Sequence, residues 1–390
     1  MQETLKKMTE QPTLQDFMPN GNMTDNRTNL IGMTMDDIKN LIVELDEKPF
    51  RAKQLHNWIY ARGAKCIDEM TDLSKTFRER LNKNYTVNRP IVTQHQISID
   101  GTQKWLLKYP DGNEAETVFI PDKERGTLCV SSQVGCTLTC KFCHTGTQKL
   151  VRNLTPADIV GQVMLSRDTL GDWLRGTEKR LLTNIVFMGM GEPLYNTHNV
   201  IKALNLLNDP DGIAISRRKV TVSTSGVASD ILRIGQETGA MLAISLHAPN
   251  DETRTEIMPI NKKFNLASLI DVCRVYPEVS KTHRITWEYV MLKGINDSDQ
   301  DAYDLVKLIK SIPSKINIIP FNPWEGSIYE CSSKDRIKKF SDILAKNGIP
   351  CPIRKTRGED IMAACGQLKS ASEKIPNWKM REMRGEGTAT

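Results

Sequence analysis

Apolar residues follow three successive rhythms along the chain. Residues 1–28 are polar, rich in Thr and Asn, and carry no periodic apolar pattern, so they are expected to be mobile. From there to about residue 90 the spacing is helical. Thr34 is placed to cap a helix that runs to about Leu45. A second begins near Pro49 and brings Leu55, Trp58 and Ile59 onto one face before Gly63. A third carries Leu73, Phe77 and Leu81 at i, i+4 spacing. Over 91–122 the pattern becomes a β-meander, with turns at Asp100-Gly101 and Asp111-Gly112.

From Thr127 short apolar strands alternate with helix-length segments. The strands fall at 127–131, 183–188, 219–224, 241–246, 284–291 and 315–320, with a shorter candidate at 350–354. Such alternation builds βα units and a parallel sheet. The expected fold class is therefore α/β, an incomplete (β/α)6-type barrel at 123–370. A small helical accessory domain at 29–90 and the β-meander extension at 91–122 precede it. The charged, Gly/Thr-ended stretch 371–390 is expected to be a flexible tail like 1–28.

Composition narrows the class. Charged residues at 26% and hydrophobic residues at 39% describe a globular chain, and no apolar run approaches the roughly 20 residues that cross a bilayer. The first residues show no apolar core or small-residue cleavage site, so a cytoplasmic location is expected. A net charge of +6 and pI of 8.7 are compatible with a nucleic-acid partner. Arg51, Lys53, Arg62, Lys75, Arg78 and Arg80 on the helical segment could grip phosphates, or could simply be a solvated face.

The nine cysteines change the picture further, because four of them lie between Cys129 and Cys143. In a reducing compartment such clustering signals metal or redox chemistry. Cys136, Cys140 and Cys143 form C-x3-C-x2-C just past the first barrel strand. Three thiolates ligate three irons of a [4Fe–4S] cubane and leave the fourth iron open. That vacant iron can chelate the amino and carboxylate groups of S-adenosylmethionine (SAM) and deliver an electron to its sulfonium. A structural zinc site would want four ligands in C-x2-C pairs, and no second pair exists.

Functional groups of a barrel gather where strands end and loops begin. Gly191 and Glu192 in Met188-Gly-Met-Gly-Glu-Pro193, Ser223, the run Ser245-Leu246-His247, and Asn322 occupy successive strand ends and suit SAM's polar groups. Cys129 and Cys365, judged on spacing, are small buried hydrophobes. Glu116 alternates onto the face of Val118 and Ile120, where an exposed edge position is the plainer reading.

Taken together these segments resemble the RlmN-type dual-specificity RNA methyltransferases, a radical SAM family with the Cfr methyltransferases as a sister group. The resemblance spans about residues 29–370. It rests on Glu47-Lys-Pro-Phe-Arg-Ala52, Glu116-Thr-Val-Phe-Ile-Pro121, Leu128-Cys-Val-Ser-Ser-Gln-Val-Gly-Cys136 and Gly189-Met-Gly-Glu-Pro193. It continues through Val222-Ser-Thr-Ser-Gly226, Leu292-Lys-Gly-Ile-Asn-Asp297, Arg354-Lys-Thr-Arg-Gly358 and Ala364-Cys-Gly-Gln367, and is weaker around 170–182. It implies methylation at C2 of an adenine in the peptidyl-transferase centre of 23S rRNA, and of the adenine 3′ to the anticodon in some tRNAs.

The roles follow from the resemblance. Cys136, Cys140 and Cys143 would bind the cluster; Gly191, Glu192, Ser223, Ser245, Leu246, His247 and Asn322 would contact SAM. Cys365 would receive a methyl group from one SAM. A second SAM, cleaved at the cluster, would activate that methyl for addition to adenine C2. Glu116 would accept the C2 proton, and Cys129 would release the RNA by forming a disulfide with Cys365. An external electron donor of the flavodoxin or ferredoxin type and a monomeric enzyme are expected. Two alternatives stand beside this reading: a Cfr-like methylation at C8, and a zinc-stabilised, non-catalytic RNA-binding protein.

Overall fold

The computed structural model describes residues 25–173, 180–277, 279–280 and 283–372. Most of the two terminal segments expected to be flexible lies outside these residues. Residues 25–28 do not: Arg27 bridges Asp25 at 2.7 Å, and Thr28–Asn29 pairs in parallel with Tyr85–Thr86.

Three helices open the chain. Helix α1 (Met35–Glu44) starts as expected at Thr34, whose hydroxyl accepts from the Asp37 N–H while the Asp37 side chain returns the bond. Helix α2 (Arg51–His56) runs into a single π turn, Asn57–Ala61. Helix α3 (Lys75–Asn84) starts after its N-cap Ser74, which leaves Leu73 just outside the helix but still in the core. These helices share one continuous apolar core with the barrel. Buried Arg89 fastens them to it, bridging Asp168 at 2.8 Å while donating to the Gly63 and Ala64 carbonyls. Gly63 sits at φ +69°, and a Cβ there would lie 2.2 Å from the Trp173 indole. The subdomain and barrel therefore meet too closely for any side chain at that position.

One nine-stranded sheet carries the rest. The meander strands β1 (Ile91–Ile97), β2 (Gln103–Lys108) and β3 (Glu114–Asp122) pair antiparallel and join antiparallel to β4 (Arg125–Cys129). From β4 the order is parallel and sequential: β5 (Asn184–Phe187), β6 (Val220–Thr224), β7 (Met241–Ser245), β8 (Ile285–Met291) and β9 (Ser314–Pro320). Helices α4 (Pro156–Leu170), α5 (Thr197–Asn208), α6 (Ala228–Thr238), α7 (Asp251–Ile257), α8 (Leu266–Arg274) and α9 (Asp299–Ile309) fill the crossovers. Helix α10 (Lys334–Lys346) follows β9. This is the expected six-strand parallel half-open barrel. No helix among the described residues is long and apolar enough to cross a membrane.

The candidate strand at 350–354 is not a strand. It runs beside β9 with a single parallel bridge, Ile318 to Ile353. Pro350 and Pro352 have no N–H to donate, so the segment accepts from Ile316 and Ile318 and returns only the Arg354 N–H. Its effect is to carry Arg354 to the barrel interior.

Candidate functional site

The loop after β4 holds Cys136, Cys140 and Cys143 at one end of the barrel. All three line a cavity of ≈ 150 Å³ together with Gly191, Glu192, Ser223, Ser245, His247, Asn322 and Cys365. Ten of the thirteen residues singled out from sequence thus share one wall or lie in it. Burial pushes all three thiols up, Cys136 to about 12, so thiolates there require a compensating positive charge, which iron provides. A mononuclear zinc site needs its donors to meet at one point, and among the described residues no three Cys, His, Asp or Glu side chains do so. The three cysteines line one cavity, where a cubane on three thiolates would be held.

The candidate SAM residues are placed by their strand ends. Gly191 has φ +95°, and a Cβ there would lie 2.4 Å from Gln133, so only glycine lets the loop pass. Glu192 is buried and accepts from the Leu194 N–H, the Thr224 hydroxyl and the Ser225 N–H, at 2.7–3.0 Å. Burial raises its pKa against those bonds. His247 adopts φ +61° and accepts the Val290 N–H at Nδ1. Burial, then Arg254, lowers its pKa to about 3, so it is neutral. Leu246 does not line the cavity: its side chain is in the core, and its N–H donates to the Glu288 carbonyl. Any contact it makes there is through its backbone.

Cys365 lies at a partition. It lines the cluster cavity and also a second cavity of ≈ 460 Å³, which Cys129, Arg125, Arg354, Lys355 and Arg357 line as well. The segment that bears it docks on the cluster loop. The His144 N–H donates to the Gly366 carbonyl at 2.7 Å, and the Thr145 hydroxyl to the Leu368 carbonyl. Asn322 Nδ2 donates to the Cys365 carbonyl. Cys365 is therefore no buried hydrophobe but an exposed thiol facing both spaces. Cys129 is buried, and burial, with the Cys365 charge adding to it, raises its pKa.

Glu116 is not an exposed edge residue. Strand β3 has neighbours on both sides, and the 362–372 segment covers this face, leaving Glu116 6% exposed. Its carboxylate bridges Lys104 Nζ at 2.9 Å and accepts the Lys369 N–H at 2.9 Å. Burial raises its pKa more than Lys104 lowers it. It lines neither cavity.

Sequence reasoning passed over two residues here. Arg354 approaches Cys365 Sγ at 3.6 Å and Glu288 Oε1 at 3.5 Å. Glu288 also accepts from Asn317 at 2.8 Å, and its other oxygen has no partner. A carboxylate in the otherwise apolar run of β8 was the available signal.

Fold and site together define a radical SAM enzyme, and the comparisons agree. Residues 130–306 match the Radical SAM superfamily, and residues 28–87 match the ribosomal RNA large subunit methyltransferase N-terminal domain. A radical SAM methyltransferase from Sphaerobacter thermophilus superposes with a TM-score of 0.81 at 38% identity, covering 87% of this chain and 99% of that one. The dual-specificity RNA methyltransferase RlmN of Rhizorhabdus wittichii is 53% identical over 97% of this chain and 95% of its own length. That of Rhodospirillum rubrum is 57% identical over 88% and 81%. The chain belongs to the RlmN family of dual-specificity RNA methyltransferases.

Proposed function

We propose that the enzyme methylates C2 of adenine in 23S rRNA and in tRNA, with Cys365 as the methyl carrier, Cys129 as the resolving thiol and Glu116 as the proton acceptor. The observation that carries the reading is the position of Cys365, between a cavity lined by the three cluster cysteines and a basic cavity containing Cys129. Cys136, Cys140 and Cys143 would hold the [4Fe–4S] cluster; Gly191, Glu192, Ser223, Ser245, Leu246, His247 and Asn322 would hold SAM. The bound cluster and SAM supply one-electron cleavage chemistry and the methyl group.

The remaining work falls to the chain. Adenine C2 is electron-poor and cannot attack a methyl sulfonium, so the methyl must first be placed on a nucleophile, and the Cys365 thiol is exposed to the cluster side. Arg125, Lys355 and Arg357 on the second cavity suit a phosphate backbone that brings an unstacked adenine to Cys365. Glu116, its basicity raised by burial, takes the C2 proton, which requires the 362–372 segment to shift off it. Cys129, as its thiolate, then attacks the Cys365 sulfur; the electron pair of the S–C bond leaves with the methylene carbon, which takes up a proton to become the methyl group, and the Cys129–Cys365 disulfide and methylated RNA remain.

The helical subdomain 29–90 is proposed as an RNA grip, through fewer cations than its count suggests. Arg51, Arg62, Arg78 and Arg80 are engaged with carboxylates or carbonyls of their own subdomain, whereas Lys53 has no side-chain partner among the described residues. The enzyme is proposed to act as a cytoplasmic monomer supplied by a flavodoxin- or ferredoxin-type donor.

Mass spectrometry of nucleosides tests the reading. Reconstituted enzyme is incubated anaerobically with SAM, reductant and protein-free 23S rRNA, beside a Cys140→Ala control. Cluster-dependent 2-methyladenosine is expected. The appearance of 8-methyladenosine instead would establish the Cfr-like regiochemistry, and unmodified adenosine from an enzyme that still cleaves SAM would overturn the substrate.

A further inference from the structure

Arg254 of α7 is fully buried, and no carboxylate lies within ion-pair distance of it among the described residues. Arginines so buried are normally paired with an anion. Its guanidinium is instead held by neutral acceptors. Nε donates to the Leu246 carbonyl at 3.1 Å and Nη1 to Asn261 Oδ1 at 2.7 Å. Nη2 donates to the Ser225 and Ser245 carbonyls at 2.7 and 3.2 Å. At its C-terminal end α7 packs against the cysteine loop, with Ile257, Met258 and Cys140 in one buried cluster. Burial lowers its pKa only to about 10, so it stays charged at neutral pH.

Two further contacts tie this cation to the cysteine loop. The Lys141 N–H donates to the carbonyl of Ile257, at the end of α7. Ser225, whose carbonyl Arg254 holds and whose N–H is held by Glu192, lines the same cavity as Cys140. The mechanism above uses neither Arg254 nor Ser225.

We propose that Arg254, with the Ser225 it positions, is the fixed positive charge and donor pair that eases reduction of the cluster at Cys140. The inference rests on the cluster reading of Cys136, Cys140 and Cys143. A cubane on three thiolates carries net negative charge, and one more electron increases it. In a low-dielectric surrounding, a nearby cation that cannot lose its proton favours the reduced state. Hydrogen bonds to the ligating sulfurs act in the same direction. Arg254 is a positioning residue in this sense: it touches the Ser225 and Ser245 carbonyls, not the reacting atoms.

Redox titration of the reconstituted holoenzyme, followed by the electron paramagnetic resonance signal of the reduced cluster, tests this. Iron and acid-labile sulfide are measured first. A wild-type preparation that takes up neither overturns the cluster reading and this inference with it. With the cluster present, Arg254→Met is expected to lower the reduced-to-oxidised ratio at fixed potential about tenfold, or about 59 mV for a one-electron couple. Arg254→Lys, which keeps the charge and loses the hydrogen-bond fan, should stay within about twofold of wild type. Ser225→Ala should lower the ratio about threefold. An unchanged ratio in Arg254→Met, or a loss in Arg254→Lys as large as in Arg254→Met, would show a purely structural role. If Arg254→Met takes up no cluster, Ser225→Ala decides, since it leaves every backbone bond in place; a wild-type ratio there overturns the proposal.

Discussion

Replacing Lys104 by methionine isolates the electrostatic part of the contact that holds the Cys365 segment over Glu116. Lys104 Nζ and Glu116 Oε1 are 2.9 Å apart, with side-chain exposures of 10% and 7%. Methionine keeps most of the apolar stem, so the change in packing is small. What it leaves is a buried carboxylate whose remaining donor is the Lys369 N–H. Removing one partner of a buried pair costs on the order of 3–5 kcal/mol. That loss must depend on pH. The folded pKa of Glu116 is raised above its ordinary value of 4.5, by burial first. A raised pKa means the folded state holds its proton more tightly, so the stability associated with it is present below the unfolded pKa and is lost as pH climbs through the folded one. Losing Lys104 raises the folded value again and deepens the loss at high pH. Urea unfolding of the anaerobic protein, followed by tryptophan fluorescence, is expected to show a deficit of about 3–5 kcal/mol near pH 8. At a pH below the folded pKa of Glu116 the deficit should fall to less than about half, because the carboxyl is protonated and Lys104 of the wild type keeps only the Met362 carbonyl. Equal deficits at the two pH values would refute the ion pair as the source.

Three other perturbations have defined outcomes. Cys140→Ala should lose iron, sulfide and the broad visible absorption of the cluster together, and retention of all three would remove Cys140 from the ligand set. Cys129→Ala, lacking the resolving thiol, is expected to accumulate a protein–RNA species that survives a denaturing gel; wild-type levels of that species would assign release to another group. Gly63→Ala forces a Cβ to within 2.2 Å of Trp173 at a positive φ, and thermal unfolding should report a loss of about 2–4 kcal/mol, with no loss refuting the close packing of subdomain on barrel.

What could be read from the chain was what local spacing determines. The capping box at Thr34, the alternation of the meander and the C-x3-C-x2-C loop each place their residues within a few positions of one another, and each was found as expected. The errors are of two kinds. At 350–354 the segment does run beside β9, but Pro350 and Pro352 remove the donors a strand needs. At Glu116 and Cys365 the local pattern gave only the bland reading, because their surroundings are assembled over long separations; the Lys369 donor of Glu116 is 253 residues away, whereas Cys129 is buried in the apolar core as its spacing suggested. Only the family resemblance connected them.

A local signal was nevertheless present in the charges. Lys104 and Glu288 are charges buried within strands β2 and β8, and a buried charge without a partner costs several kcal/mol. Each must therefore be answered from elsewhere in the fold: Glu288 by Arg354, and Lys104 by Glu116 of β3 and by the Met362 carbonyl of the Cys365 segment at 3.3 Å. Glu116 in turn accepts from Lys369. The segment is thus fixed by polar contacts at 354, 362 and 369, with Cys365 exposed between them. Contacts of that kind can be released by moving a proton or a charge, whereas apolar burial cannot. If Cys365 serves the cluster side first and Cys129 afterwards, as proposed, it needs an attachment of the first kind, and the strand charges at 104 and 288 mark where it is made.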